Sequence, residues 1–389
     1  MKRELDCRKL NTPGMGIGVI GYGFMGKVHS NAYLKIPYTY EKPAAYPLLV
    51  SMCGRKEKSV IDTARRFGYR EVCTDWHELI ENPAVQLVDN CTPDNMHAAP
   101  SVAAAEAGKH VICEKPLAVN VKDAKEMLDA VIKAGVKHML CHNYRFMPAV
   151  RLARKLIEDG EIGTVYQFRG VYLQEVGHRP GEVLENVWYA TGTRSGVLLG
   201  IGCHIIDMAR FLVGEMKSVA GFVKTFNTSR KDSAGRAEKV SADEVNGAIV
   251  EFENGAVGTL ESAGVSTGRK NQLTWEVNGS KGSLRFDLED LNHLQVCLDN
   301  TPVRDVRGFT SVSVTDFKHP LQSMILPPGH NTGWEYGHVH ALHHFIESIV
   351  TERPVEPYGA TFDDGYRIQV IMDAIVRSAE AGRKIELRF

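Results

Sequence analysis

Lys115 is well placed for proton chemistry. It follows an apolar run, His110 to Cys113, that reads as a buried strand, and Pro116 after it favours an extended backbone. The side chain would then point into a cleft at the carboxyl edge of a sheet, although a solvated surface lysine is the plainer alternative. Glu114 beside it would favour the charged ammonium, whereas a buried cleft would favour the neutral amine. His204 is the second candidate, at the start of an apolar-periodic helix carrying Ile205, Met208, Ala209 and Leu212 and closed by Gly214. A helix N-terminus disfavours imidazolium, leaving a neutral ring able to accept a hydroxyl proton. A core histidine satisfied by backbone is the alternative there.

The other half of such chemistry is a hydride acceptor, and the stretch VIGYGFMGK, Val19 to Lys27, points to one. Gly21, Gly23 and Gly26 stand in G-x-G-x-x-G spacing on a strand-to-helix turn. Gly21 suits the tight turn, Gly23 lets backbone approach a pyrophosphate, and Gly26 lets helix and strand pack closely. The phosphates would rest on the helix N-terminus, beside Phe24 and Met25. Thr92, Pro93, His97, Glu114, Lys115 and Asn143 follow other strands and are expected on the same cofactor-binding edge. After the second strand the chain reads Cys53-Gly54-Arg55-Lys56, without the acid that would take the ribose hydroxyls of NAD. Arg55 suits the 2′-phosphate of NADP, so both cofactors stay open.

Asn143, Tyr144 and Arg145 offer donors to a polyhydroxylated ligand or to the nicotinamide amide. Trp188 with Tyr189, and Trp334 with Tyr336, could stack on the apolar face of a sugar or on an aglycone, or simply pack. Gln174, His178 and Arg179 could add hydrogen bonds. His338, His340, His343 and His344 form a histidine cluster in which His340 and His344 share a helix face at metal-binding spacing. No acid stands between them as in H-E-x-x-H, and hydride transfer needs no metal, so none is assigned.

Positioning these residues requires two kinds of architecture. Up to about residue 148, strand patterns alternate with helical ones, which predicts a doubly wound parallel sheet of α/β class, a Rossmann domain over 1–148 with 1–14 as a flexible leader. The tract from Ile36 to Pro47 is expected to be a loop beside the cofactor. Over 149–389 the runs become β-rich, with hairpin turns at Asn254-Gly255 and at Gly279 to Gly282. This predicts an α+β domain with a large open, mostly antiparallel sheet that binds substrate and whose free face would join subunits into a homo-oligomer. Two helices, Val339 to Val350 and Gly365 to Ala381, close the chain.

At 389 residues there is room for two cores, and 46 Lys plus Arg against 47 Asp plus Glu argue for neither nucleic acid nor an anionic membrane as partner. No apolar run approaches the roughly 18 residues of a membrane span. The eight scattered cysteines read as reduced thiols of a cytoplasmic protein.

The glycine turn, Thr92-Pro93 with His97, Glu114-Lys115-Pro116, Asn143-Tyr144-Arg145 and Gly202 to Asp207 occur in the order found in the Gfo/Idh/MocA oxidoreductases, which the chain resembles over nearly its whole length. The resemblance implies a Rossmann domain followed by an open-faced sheet, and oxidation or reduction of a hydroxyl or carbonyl on a sugar or polyol. It also implies that Lys115 and His204 are catalytic. The layout FMGK-x-HS, YLQ and HIIDMARFLVGE looks like the branch of levoglucosan dehydrogenase and glycoside 3-dehydrogenases, C-glycoside 3-oxidising enzymes included. One position departs from the family pattern: four residues before the histidine, where an aspartate is usual, stands Gly200. That shifts the expected weight of proton transfer towards Lys115, and Asp207 is expected to cap or pack. The leading expectation is an NAD(P)-dependent sugar or glycoside dehydrogenase, possibly acting at C3. A myo-inositol-type polyol dehydrogenase and a noncatalytic, nucleotide-bound sugar sensor are the alternatives.

Overall fold

The computed structural model describes residues 12–175, 196–231, 235–300, 307–321 and 326–389. Its first part alternates β1 (Gly14–Ile20), α1 (Phe24–Thr39), β2 (Tyr46–Cys53), α2 (Glu57–Phe67), β3 (Glu71–Cys73), α3 (Trp76–Glu81), β4 (Leu87–Asn90), α4 (Ala98–Glu106), β5 (His110–Cys113), α5 (Val121–Ala134) and β6 (His138–Leu140). The six strands run parallel in the order β3-β2-β1-β4-β5-β6. The order reverses between β1 and β4, opening a crevice at their carboxyl ends where doubly wound sheets take ligands. β1 and β4 are buried almost throughout, as strands covered by helices on both faces must be.

One expectation fails in this half. The tract 36–47 is not a loop beside the cofactor: α1 continues through Pro37 to Thr39, and β2 begins at Tyr46. Tyr33 and Ile36 on α1 are fully buried, so packing of the helix face outweighs the proline signal.

The second part contains α6 (Pro148–Glu158), β7 (Val165–Leu173), α7 (Cys203–Val213), β8 (Met216–Lys224), β9 (Ser229–Lys231), β10 (Ala237–Lys239), β11 (Val245–Phe252), β12 (Val257–Ala263), β13 (Gln272–Gly279), β14 (Gly282–Asp287), β15 (His293–Leu298) and β16 (Thr310–Ser313). It closes with α8 (Tyr336–Val350), α9 (Phe362–Ala381) and β17 (Ile385–Glu386). A nine-stranded sheet runs β16-β15-β14-β13-β7-β12-β11-β8-β17, and β7 with β12 is its parallel pair among antiparallel neighbours. Phe168, Trp275 and Phe286 project from one face into a core with Ile205, Met208 and Leu212 of α7. The other face is open.

The last two helices knit the halves together. Val339, Leu342, Phe345 and Ile346 of α8 share a core with Ile17, Tyr33 and Ile36 of the first sheet. On α9, Phe362 joins the core beneath β5, while Ile368, Ile371 and Ile375 join that of the large sheet. A buried charge cluster fixes the join. Arg145 donates to both carboxylate oxygens of Asp207 on α7, at 2.6–3.0 Å, and lies 3.3 Å from Asp364 on α9, which also accepts from Arg210 at 2.9 Å. Replacing Arg145 by Met leaves these carboxylates without their central cation and is expected to destabilise the protein by about 3–5 kcal/mol, read by denaturant unfolding, with little change in the dinucleotide affinity of the folded fraction. A native melting midpoint with lost ligand affinity would instead make Arg145 a ligand-binding residue.

Candidate active site

The glycine turn sits where β1 meets α1. Gly21 has φ +108°, and a Cβ there would lie 2.4 Å from the Cys91 carbonyl oxygen, so no other residue fits without displacement. At Gly26 a Cβ would lie 1.9 Å from the Gly21 carbonyl oxygen, which is the close helix–strand packing expected of it. Gly23 differs, because a Cβ there meets nothing within 4 Å. It borders open space at the start of α1, where no side chain caps the helix and no acid occupies the first turn. The free N–H groups of that turn are therefore available to a pyrophosphate, and the residues present fit a dinucleotide.

A cavity of about 780 Å³ runs from this turn to the large sheet. Gly21, Gly23, Phe24, Met25, Arg55, Thr92, Pro93, His97, Glu114, Lys115 and Asn143 line its first part, and Tyr144, Gln174, His204 and Trp334 its far part. Gly26 acts from beneath by packing. Arg145 does not line the cavity; its guanidinium is committed to Asp207 and Asp364, so the expected substrate contact is replaced by a buried ion pair. Asp207, expected to cap or pack, is the buried carboxylate of that ion pair. Trp188, Tyr189, His178 and Arg179 lie outside the described residues.

Lys115 follows β5 directly and is joined to Pro116 by a cis peptide. Its Nζ reaches across the cavity to donate to the Gly200 carbonyl oxygen at 2.8 Å. Glu114 is turned inward beneath it: Oε2 accepts the Lys115 N–H at 3.1 Å, and Oε1 meets His29 Nε2 at 2.9 Å. The other nitrogen of His29 lies 2.9 Å from Asp89 Oδ2, which also accepts from Tyr33 Oη at 2.9 Å. Burial alone would lower the pKa of His29, but Asp89 and its hydrogen bond overcome that and raise it well above the ordinary value. Burial would likewise raise Glu114, yet the hydrogen bond and charge of His29, followed by the Lys115 charge, pull it down to about 2. The imidazolium thus supplies the positive charge that two buried carboxylates require.

His204 comes from the opposite wall, and here the local reading needs correction. It is not at a free helix N-terminus, because a π-helical stretch, Leu198–Gly202, runs directly into α7 with Gly202 in helical conformation. Burial, helped by Lys115, His142 and His338, holds its pKa well below the ordinary value instead. The ring is neutral, and since Nδ1 is buried without a partner, Nε2 is the nitrogen that addresses the cavity. Beside it runs a polar chain. Trp334 Nε1 donates to Tyr144 Oη at 3.3 Å, Tyr144 Oη meets Tyr172 Oη at 2.9 Å, and Tyr172 Oη and Gln174 Nε2 both donate to Asn271 Oδ1 at 2.7 Å. Hydroxyl, amide and indole groups around an aromatic wall suit a polyhydroxylated ring.

Several functional positions escaped sequence reasoning. Tyr22, Thr74 and Trp76 line the dinucleotide end, and Tyr172 and Asn271 the other; His338, from the histidine cluster singled out in the sequence, lines the cavity as well. His29 and Asp89 were also missed; the signal was an aspartate inside an otherwise apolar strand. His97 braces the site rather than only facing it, because its ring nitrogens lie 2.7 Å from the Pro116 carbonyl and 3.0 Å from that of Thr92. The histidines of α8 diverge. His340 meets Tyr40 Oη at 2.5 Å, His344 Nε2 donates to the Val355 carbonyl at 2.8 Å, and His343 stacks on Tyr40, so the i, i+4 pair does not converge on one point.

Two outcomes test this geometry. Gly23→Asp is expected to fold normally, having space for its side chain, and to lose dinucleotide binding by at least an order of magnitude through clash and repulsion. Fluorescence titration with NADH or NADPH checks it, and undiminished affinity would remove the phosphates from this turn. For Glu114, whose folded pKa of about 2 lies below the ordinary 4.5, the stabilisation is present above about pH 4.5 and lost as pH falls towards 2. The stability gap between wild type and Glu114→Gln should therefore narrow over that interval; a constant gap would contradict the charged brace.

Comparison with known proteins agrees with this architecture. The oxidoreductase family's NAD-binding Rossmann-fold model, Gfo/Idh/MocA, matches residues 15–142, and the C-terminal α/β domain model of the same family matches residues 154–387. The chain is 38% identical over 379 residues to levoglucosan dehydrogenase of Pseudarthrobacter phenanthrenivorans, covering 94% of this chain and 96% of that protein. It is 28% identical to myo-inositol 2-dehydrogenase of Thermotoga maritima over 70% of this chain and 75% of that one. A solved structure of levoglucosan dehydrogenase in complex with NADH and levoglucosan superposes with a TM-score of 0.92 at 37% identity, covering 96% of this chain and 99% of the other. With both halves matched and the glycine turn, Lys115 and His204 gathered around one cavity, the chain belongs to the Gfo/Idh/MocA oxidoreductase family.

Proposed function

We propose that the protein is an NAD(P)-dependent dehydrogenase that oxidises a secondary hydroxyl of a sugar or glycoside, at C3 of the ring, or reduces the corresponding carbonyl. The observation that carries this reading is the convergence of Lys115, which follows β5, and a neutral His204, on α7, on the cavity that begins at the glycine turn. The similarity to levoglucosan dehydrogenase supports the sugar class, and the FMGK-x-HS, YLQ and HIIDMARFLVGE layout supports C3. When bound, the nicotinamide supplies the hydride acceptor at its C4.

The chain's own residues handle the proton. The weight of proton transfer expected on Lys115 passes instead to His204, because Lys115 Nζ is a donor, held by the Gly200 carbonyl: Nε2 of His204 takes the proton from the hydroxyl, and Lys115 stabilises negative charge on that oxygen. Tyr144, Tyr172, Gln174 and Asn271 orient the remaining hydroxyls, and Trp334 offers an apolar face. A homo-oligomer through the open sheet is supported by Tyr166, Phe222, Ile249 and Val257, which are exposed on four adjacent strands. A cytoplasmic setting agrees with the described cysteines being free thiols.

The test is NAD(P) reduction by wild type against a panel of levoglucosan, pyranosides and inositols. Lys115→Ala and His204→Ala should each lower kcat by about 100- to 10,000-fold, with smaller changes in cofactor affinity. Near-native turnover in either variant would remove that residue from the chemistry, and saturable sugar binding without reduction would favour the sensor. For the subunit contact, Ile249→Lys should dissociate the assembly in sedimentation velocity; an unchanged assembly would place the interface elsewhere.

A further inference from the structure

Three imidazole nitrogens behind the cavity wall are buried without a hydrogen-bond partner: Nδ1 and Nε2 of His142 and Nδ1 of His204. The two rings are neighbours, with centroids 5.4 Å apart and planes at 82°. Nδ1 of His142 stands 3.9 Å from Oδ2 of Asp207, and both side chains are fully buried. His204 lines the cavity and His142 does not, so His142 lies behind the base and out of reach of substrate. An apolar side chain would fill this place at less cost if packing were the only requirement, since each unsatisfied polar atom carries a desolvation penalty. The charged and titratable groups facing His142 are Asp207 on α7, Arg145 on the following turn, Lys115 after β5, Asp364 on α9 and His204 itself.

We propose that His142 is a positioning residue for His204 and the second station for its proton, with Asp207 holding the charge. The proposal rests on the dehydrogenase reading above. As the substrate O–H bond breaks, Nε2 of His204 gains a proton; the N–H bond at Nδ1 then breaks as one forms at the free lone pair of His142. The opposite nitrogen of His142, Nδ1, is the one 3.9 Å from the Asp207 carboxylate, which faces the charge so formed. A single bound water or a small rotation of either ring closes the gap. Only a proton moves along this path, the hydride leaving separately to the cofactor. The relay draws positive charge away from Lys115, and the proton returns through His204 to the cleft once product has left.

The experiment compares wild type, His142→Phe and His142→Gln in kcat, KM, pH profile, dinucleotide affinity and melting temperature, using the best sugar from the panel. Phe removes the unsatisfied nitrogens, while Gln keeps hydrogen bonding but cannot carry a proton. The relay predicts that both variants bind cofactor normally and keep KM, while kcat falls roughly 10- to 100-fold and the acid limb of its pH profile moves to higher pH, because the neighbour that helps hold His204 neutral is gone. Should the Phe variant fail to fold, the Gln variant decides by the same readings. A folded variant with near-native kcat and an unmoved limb would overturn the proposal and leave His142 a packing residue. A wild-type enzyme that transfers hydride from no sugar would overturn the dehydrogenase reading itself, a failure seen before any variant is made.

Discussion

An imidazole buried between two carboxylates is the constraint around which this site is assembled. Asp89 ends up inside the first sheet and Glu114 just beyond the end of β5, and a carboxylate buried so deeply needs a cation beside it. His29 on α1 supplies it. Because it bonds both acids at once, it ties the helix that follows the glycine turn to β4 and β5 at the carboxyl edge. The turn therefore cannot shift relative to Lys115, whose backbone N–H is held by the same Glu114 carboxylate. Packing alone would permit a sliding helix; a doubly bonded imidazolium does not.

A second buried cation does the equivalent for the opposite wall. Arg145 leaves the last strand of the first sheet and grips Asp207, three residues beyond His204 on α7, while Asp364 brings in α9. His204 is thereby carried on an element fixed to both cores. Burial, with Lys115 and other imidazoles close by, keeps the ring neutral and ready to accept a proton. The two clusters thus separate tasks: the first fixes the dinucleotide edge and the lysine, the second fixes the histidine against them.

Much of this was legible in the sequence because it depends on local pattern. The glycine spacing, the strand–helix alternation, the hairpin turns and the polar residues after each strand depend on backbone geometry that neighbouring residues set. What depends on distant partners was not legible. Arg145 has the same local chemistry whether it meets a sugar or an aspartate, and only the position of α7 decides. The neutral state of His204 was anticipated for the wrong reason: the helix runs on through Leu198–Gly202, so burial rather than a free N-terminus lowers its basicity. Pro37 suggested a loop, but α1 has enough apolar contact to hold its last turn. The return of α8 to the first sheet lies beyond any window of periodicity, since its partners are some 300 residues away, as in the bond from Tyr40 to His340.

The central claim is that the cavity between these two clusters moves a hydride from a ring carbon of a sugar to a nicotinamide. The most direct measurement is isotope transfer: the protein is incubated with NAD or NADP and levoglucosan deuterated at C3, and the cofactor is analysed by mass spectrometry and NMR. The account predicts reduced cofactor carrying deuterium at C4 of its nicotinamide, together with the 3-keto sugar. Reduced cofactor without deuterium would place the oxidation at another carbon, and unreduced cofactor with unchanged sugar, repeated across a panel of deuterated sugars, would contradict the account.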